Sequence, residues 1–174
     1  MRERLFGHIP GYPEGSWFAS RLELSRAGVH RPRVAGIAGH GREGAESVVL
    51  SGGYEDDEDR GDEILYTGHG GRDPDTGKQV SDQRLIRGNA ALAYNQQAGL
   101  PVRVIRGATP RSPYSPRIGY RYDGLYRVEE YWRARGRSGF MVWRYRLVKL
   151  ANTASRDTVK TQPDQARRRG GNKP

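Results

Sequence analysis

Glycine or proline interrupts this chain so often that no apolar segment runs far before a turn is forced. The 24 glycines and 10 prolines each weaken a helix or a strand ladder where they fall. Such a chain folds as many short strands joined by turns rather than as a bundle of long helices. Hydrophobic residues make up only 34% of the sequence, so the core has to be small, yet Trp17, Trp132, Trp143 and 10 tyrosines are more aromatics than a disordered chain carries. A length of 174 residues suits one core and is too short for two ordinary domains.

The apolar spacing places the elements. Residues 5–15, dense in glycine and proline, read as a looping entry segment. Residues 16–24, with Trp17, Leu22 and Leu24, read as a strand with imperfect alternation. A basic loop, Gly28 to Gly36, follows. Residues 46–51 form a short buried strand that delivers the chain into Gly52-Gly53, and residues 64–67 form the next one. From Ser81 or Asp82, either of which can cap a helix, the period changes to a helical one that ends near Gly99, before Pro101. Residues 101–106 are strand-like, residues 107–121 a polar loop, and residues 125–132 and 140–148 a hairpin turning through 135–139. Domain organisation is therefore one domain over 1–150 and a flexible basic tail or linker over 151–174, which holds Arg167-Arg168-Arg169 and almost no large apolar side chain. Pattern alone supports an α+β class, a small twisted β-barrel with flanking helices.

Charge narrows the function. A net charge of +10, from 30 Lys+Arg against 20 Asp+Glu, favours a polyanionic partner, nucleic acid before an anionic membrane. Arginine outnumbers lysine, which suits bidentate contacts to phosphate or guanine. The absence of cysteine excludes disulfides, zinc-thiolate sites and thiol nucleophiles. No apolar run reaches membrane-spanning length, and Met1-Arg2-Glu3-Arg4 leads into no signal-type segment. The expected compartment is the cytoplasm, associated with the nucleoid, or the nucleus in a eukaryote.

Against this basic background stands an acid run, Glu55, Asp56, Asp57, Glu58, Asp59, Asp62 and Glu63. It can be a solvated loop. It can hold a divalent cation, although the glycine and glutamate of a calcium loop are missing at the required offsets. Or one carboxylate can read a base, since a carboxylate accepts from the cytosine N4 amino group. The surroundings favour the last. Gly52-Gly53 and Gly68-x-Gly70-Gly71 sit at strand ends and permit close backbone approach to a flat ligand. Tyr54 and Tyr66 adjoin these clusters and offer two faces for stacking a base, while His69 lies in the second glycine cluster. Neither a dinucleotide-binding glycine pattern, a G-x-S-x-G elbow nor a His-Asn-His nuclease signature is present. No metal or other cofactor is expected.

The ordered motifs Phe6-Gly7-x-Ile9-Pro10-Gly11, Gly28-Val29-His30-Arg31-Pro32, Gly52-Gly53-Tyr54-Glu55-Asp56-Asp57, Tyr66-Thr67-Gly68-x-Gly70-Gly71-Arg72-Asp73, Asp82-Gln83, Tyr122-Asp123-Gly124 and Ser138-Gly139-Phe140-x-Val142-Trp143-Arg144-Tyr145 resemble the SRA domain, also called the YDG domain. The likeness covers about residues 5–150 and is nearest the bacterial type. It implies a PUA-like β-barrel that binds modified cytosine in duplex DNA and extrudes the base into a pocket. The matching positions imply that Tyr54 and Tyr66 stack on the base, that Asp57 accepts from its N4 amino group, and that Gly52, Gly53 and Thr67 hold its edge through backbone groups. Residues 31–35 match the loop that enters the minor groove, with Val34 filling the space the base leaves. Arg31, Arg33, Arg42, Lys78 and Gln79 are the further residues expected on the DNA. Tyr122, Asp123 and Gly124 are expected to be structural.

Two departures bear on specificity. The segment between Asp73 and Asp82 is shorter than in animal members and lacks their Asn-Lys-Arg finger, which puts reading of the opposite strand in question. Ser51 and His69 replace small residues, adding polar capacity that suits 5-hydroxymethylcytosine as well as 5-methylcytosine. The leading expectation is a non-catalytic reader, the recognition half of a modification-dependent restriction endonuclease with a nuclease domain elsewhere in the protein. A free-standing methyl-DNA reader, an enzyme acting on the flipped base with Asp57 as general base, and a generic basic DNA coat are the alternatives.

Overall fold

A computed structural model describes residues 3–151. The expected basic tail, residues 151–174, lies outside the described residues except for Ala151. Eight strands and two helices follow one another as β1 (Trp17–Phe18), α1 (Arg21–Ala27), β2 (Ile37–Gly39), β3 (Ala45–Leu50), β4 (Glu58–Asp59), β5 (Glu63–Thr67), α2 (Arg87–Ala98), β6 (Pro101–Gly107), β7 (Tyr120–Arg135) and β8 (Met141–Lys149). No helix among the described residues is long and apolar enough to cross a membrane.

The strand expected over residues 16–24 is cut short by α1. The local chemistry explains the switch. The Ser20 hydroxyl accepts from the Glu23 N–H at 3.2 Å, and the Glu23 carboxylate accepts from the Ala19 N–H at 3.0 Å. Ser20-x-x-Glu23 is a capping box, and it starts a helix where hydrophobic spacing alone suggests a strand. Gly28, at φ 79°, closes α1 in the left-handed conformation. The second helix ends at Gly99 as expected but begins only at Arg87. The residues before it are claimed by β8: the Met141 N–H donates to the Asp82 carboxylate and the Trp143 N–H to the Gln83 side chain, at 2.8 and 2.9 Å. The hairpin of β7 and β8 forms where expected, but β7 is longer than expected, 16 residues starting at Tyr120 within the segment expected as loop, and Tyr131 stacks on Tyr145 across it at 6.2 Å between ring centroids.

The strands make one mixed sheet in the order β2-β3-β6-β7-β8-β5-β4, with β1 added to β7. Only β3 and β6 run parallel. The sheet does not close into the expected barrel by hydrogen bonding. It curls instead, and its two ends meet through a side chain: the Tyr66 hydroxyl, on β5, lies 3.3 Å from the carbonyls of Gly36 and Val49, beside β2 and on β3. Ile37, Val48, Ile64, Val104, Val128 and Leu147, from six strands, share one core with Ala91 and Leu92 of α2. Leaving the seam open is what creates room for a cavity between the sheet's ends.

Two buried charge clusters brace this curl. Glu46 on β3 is fully buried among Arg4, Arg31 and Arg103. Arg106 on β6 grips Asp59 with two bonds of 2.8 Å and Asp123 with a third. A buried pair of this kind is weakly stabilising when intact but costs about 3–5 kcal/mol to break from one side. Asp123 of the Tyr122-Asp123-Gly124 triplet is thus a structural residue.

Candidate nucleic-acid interface

The loop after β3 builds the floor of a cavity of about 250 Å³. Gly52 turns the chain at φ 76°, and a Cβ there would meet the Thr109 hydroxyl at 2.5 Å, so only glycine fits without displacement. Arg111 then fixes the loop by donating to the carbonyls of Gly52, Tyr54 and Glu55 at 2.9, 3.1 and 3.0 Å. Tyr54, Asp57 and Tyr66 all face the cavity, together with Ser51, Gly53 and His69. The Tyr54 hydroxyl accepts from the Gly70 N–H at 2.9 Å, and the Arg72 guanidinium lies 5.5 Å from the centre of its ring.

The acid run does not act as a unit. Glu55 accepts from the Ser138 hydroxyl and the Gln79 N–H. Asp56 accepts from the Arg137 N–H. Glu58 is paired with Arg60 and Arg144, Asp59 with Arg106, and Glu63 with Arg60 and Arg146. Glu55, Asp56 and Asp57 have no guanidinium bonded to their carboxylates, but of these three Asp57 is the one that lines the cavity, where its carboxylate accepts from the Thr67 N–H at 2.8 Å. The carboxyl group is wrapped by protein on nearly all sides, yet the residue keeps some accessible surface because it borders the cavity. Burial pushes its pKa up to about 6, against the Thr67 hydrogen bond that favours the anion. At neutral pH it is an anion with spare acceptor capacity facing an enclosed space.

The second wall comes from residues 31–36. Arg21, the first residue of α1, donates to the carbonyls of Val34, Pro32 and Ala35 at 3.2, 2.9 and 2.6 Å. The buried His30 bridges the Ser47 hydroxyl and the Ala35 carbonyl at 2.7 and 2.9 Å. Burial lowers its pKa to about 3. It is therefore neutral, and since the Ala35 carbonyl can only accept, Nε2 carries the hydrogen and Nδ1 accepts from Ser47. These anchors present Val34 outward at 88% exposure, beside the cavity mouth.

The sequence-derived residues are not all brought together. Ser51, Gly53, Tyr54, Asp57, Tyr66, His69 and Val34 line the cavity. Gly52 lies behind it with its carbonyl held by Arg111, and Thr67 orients Asp57. Arg33 and Lys78 are exposed. Arg42 is also exposed but borders a separate cleft beside Tyr94 and Tyr131. Arg31, expected to meet phosphate, binds Glu46 and the Glu3 carbonyl. Gln79, expected on DNA, is 2% exposed and donates to the carbonyls of Gly70 and Ser81 at 2.6 and 3.0 Å. It braces the glycine loop because those carbonyls need a donor once buried. The same loop is held by Gln83, which donates to the Gly68 carbonyl at 2.6 Å, and by Asn89, which bonds both the N–H and the carbonyl of His69 at 2.9 and 3.0 Å. Arg21 and Arg72, both on the cavity wall, are positions that sequence reasoning missed. The capping box could have placed Arg21 on a helix, but nothing local signals its three carbonyl partners.

Comparison with known proteins agrees with this fold. A family model described as the SAD/SRA domain matches residues 5–153. The chain is 48% identical over 163 residues to the E3 ubiquitin-protein ligase UHRF1 of Danio rerio, covering 82% of this chain and 21% of that one. It thus spans about a fifth of the length of that relative. Among solved structures, the modification-dependent TagI restriction endonuclease superposes with a TM-score of 0.83 at 52% identity, covering 89% of this chain and 55% of that one. The SUVH5 SRA domain bound to fully hydroxymethylated CG DNA superposes at 0.73 and 38% identity, covering 86% and 96%. With the family model spanning nearly all of the described residues, the chain belongs to the SAD/SRA domain family.

Proposed function

We propose that this domain binds duplex DNA and draws a modified cytosine out of the helix into the cavity bordered by Tyr54, Asp57 and Tyr66. The observation that carries this reading is the Asp57 carboxylate, buried with no guanidinium bonded to it and open to a cavity of about 250 Å³, ample for a single pyrimidine. An uncompensated buried anion is costly unless a ligand supplies donors, and the N4 amino group of cytosine is such a donor. Extrusion costs a few kcal/mol of unstacking and unpairing. Stacking on tyrosine returns about 1–3 kcal/mol, and a hydrogen bond to a charged acceptor about 1.5–3 kcal/mol. Val34, fixed at the mouth, is placed to fill the vacated stack.

Ser51 and the neutral, partly desolvated His69 bring polar groups to the lining, so the cavity accepts 5-hydroxymethylcytosine as well as 5-methylcytosine. The domain itself reads, and it serves a longer protein as a recognition module. The relation to TagI favours a nuclease as the attached effector.

The test is a titration of duplexes carrying one unmodified, methylated or hydroxymethylated cytosine at matched salt, with 2-aminopurine beside the target. Tighter binding of both modified duplexes and a fluorescence rise on binding are expected. Equal affinity for all three duplexes, with every base still stacked, overturns the reading.

A further inference from the structure

Most arginines near the cavity are committed to the protein itself: Arg21 and Arg111 to backbone carbonyls, Arg31, Arg106 and Arg144 to carboxylates. Among the described residues, Arg33 and Arg117 belong to a set of exposed arginines, with Arg26, Arg42, Arg84, Arg87 and Arg137, whose side chains have no hydrogen-bond or ion-pair partner. Of these, Arg33 and Arg117 are the two followed by an exposed β-branched residue. Val34 is 88% exposed and Ile118 69%. The same two-residue pattern, an uncommitted guanidinium and a bare aliphatic side chain, therefore occurs at two loop tips.

The second tip is as firmly held as the first. The Ala108 N–H donates to the Gly119 carbonyl at 3.0 Å and closes the loop between β6 and β7. The Ser115 hydroxyl lies 2.8 Å from the carbonyls of both Thr109 and Ser112. The Trp17 indole, itself 51% exposed, donates to the Ile118 carbonyl at 2.8 Å. Two links connect the tip to the cavity wall. Arg111, in the same loop, holds the carbonyls of Gly52, behind the cavity, and of Tyr54, which lines it. Trp17 sits on β1, which leads directly into Arg21, the residue that clamps the first tip. An ordered loop that keeps an isoleucine and an arginine in solvent, and that is tied to the cavity wall through Arg111, has the makings of a groove contact: the guanidinium meets phosphate and the aliphatic group packs on sugar.

We propose that the Arg117–Ile118 tip, backed by Trp17, is a second DNA-contacting element that grips the duplex on one flank of the extruded base. This rests on the reading of the domain as a duplex-DNA binder, and it makes the footprint asymmetric, longer on the flank where this tip lies.

The full chain carrying R117E together with I118S tests it, titrated against a long duplex with one central methylated cytosine and against two duplexes shortened on one side or the other. About a tenfold loss is expected on the long duplex, methylated or not, because phosphate contacts are indifferent to the base. The deficit should vanish on one shortened duplex and persist on the other, with the melting temperature unchanged. Equal binding of parent and variant to the long duplex, or a deficit that survives on both shortened ones, overturns the proposal. The ratio of methylated to unmethylated affinity in the parent separates the two readings. A ratio of one defeats base extrusion while the variant's loss still measures the tip; a high ratio with no loss in the variant defeats the tip alone.

Discussion

Asp57 and Asp59, two positions apart in one acid run, do opposite work. Burial tends to raise the pKa of Asp59, but the hydrogen bonds from Arg106 and Ser112 outweigh it and hold the carboxyl below its ordinary value. Asp57 has the Thr67 hydrogen bond and the non-bonded charges of Arg111 and Arg144, and burial still wins, carrying it to about 6. A buried carboxylate with its cation is part of the frame. One left without a cation, beside a cavity, keeps acceptor capacity for a ligand. The difference is bought with stability, since the free domain holds an anion that would be better solvated outside.

The largest expected effect tests the framing carboxylate. Asp59→Ala strips Arg106 of its bidentate partner and should destabilise the domain by about 3–5 kcal/mol, read as a lower urea midpoint. The fraction that remains folded should still prefer modified DNA. If stability is unchanged, the contrast between the two carboxylates fails.

Asp57→Ala should do the reverse. The fold should persist, and the preference for modified over unmodified duplex should fall about 10- to 100-fold, the worth of a charged hydrogen bond at about 1.5–3 kcal/mol, while the salt-sensitive background binding stays. An unchanged preference removes Asp57 from its assigned role.

The pH dependence sharpens the same point. A carboxyl whose folded pKa of about 6 exceeds its ordinary 3.8 binds its proton more tightly in the folded state. Its contribution to stability is full below the unfolded value and is lost as pH rises through the folded one. Asp57→Asn should therefore stabilise the free domain at pH 7.5 by on the order of 2 kcal/mol and have little effect at pH 4, as thermal melts at the two values would show. In the parent, preference for modified DNA should decline as pH drops below 6, where the acceptor gains a proton.

The smallest effect concerns two arginines of one loop. Arg33→Ala should weaken binding to all duplexes alike and reduce the salt slope by about one, without a change in melting temperature. Arg31→Ala should instead lower the melting temperature, because Arg31 is bound to the buried Glu46. Identical behaviour of the two variants would show that the loop's charges are not divided in this way.

Tyr54, Asp57, Tyr66 and the glycines around them were legible in the sequence because each sits at or beside a strand end, within a few residues of the turn that aims it. Arg111 was not, since it lies 59 residues from the Gly52 carbonyl it holds, and nothing near it marks that partner. Gln79 misleads for a related reason. An amide in a polar loop reads as surface, and only the packed structure shows two carbonyls in need of its donors. The first helix was concealed by its own apolar residues, although the capping pair Ser20 and Glu23 was there to be read.

By itself the sequence determined that strands dominate and which chemical groups meet at the cavity, because turn preference, strand period and local motifs depend on near neighbours. Only the tertiary structure decided that the sheet curls without closing, that Asp57 is bare while Asp59 is paired, and that Arg33 is free while Arg31 is bound. Charge has no fixed role along a chain: its effect is set by burial and by the partner that folding delivers, and both come from residues far away in sequence.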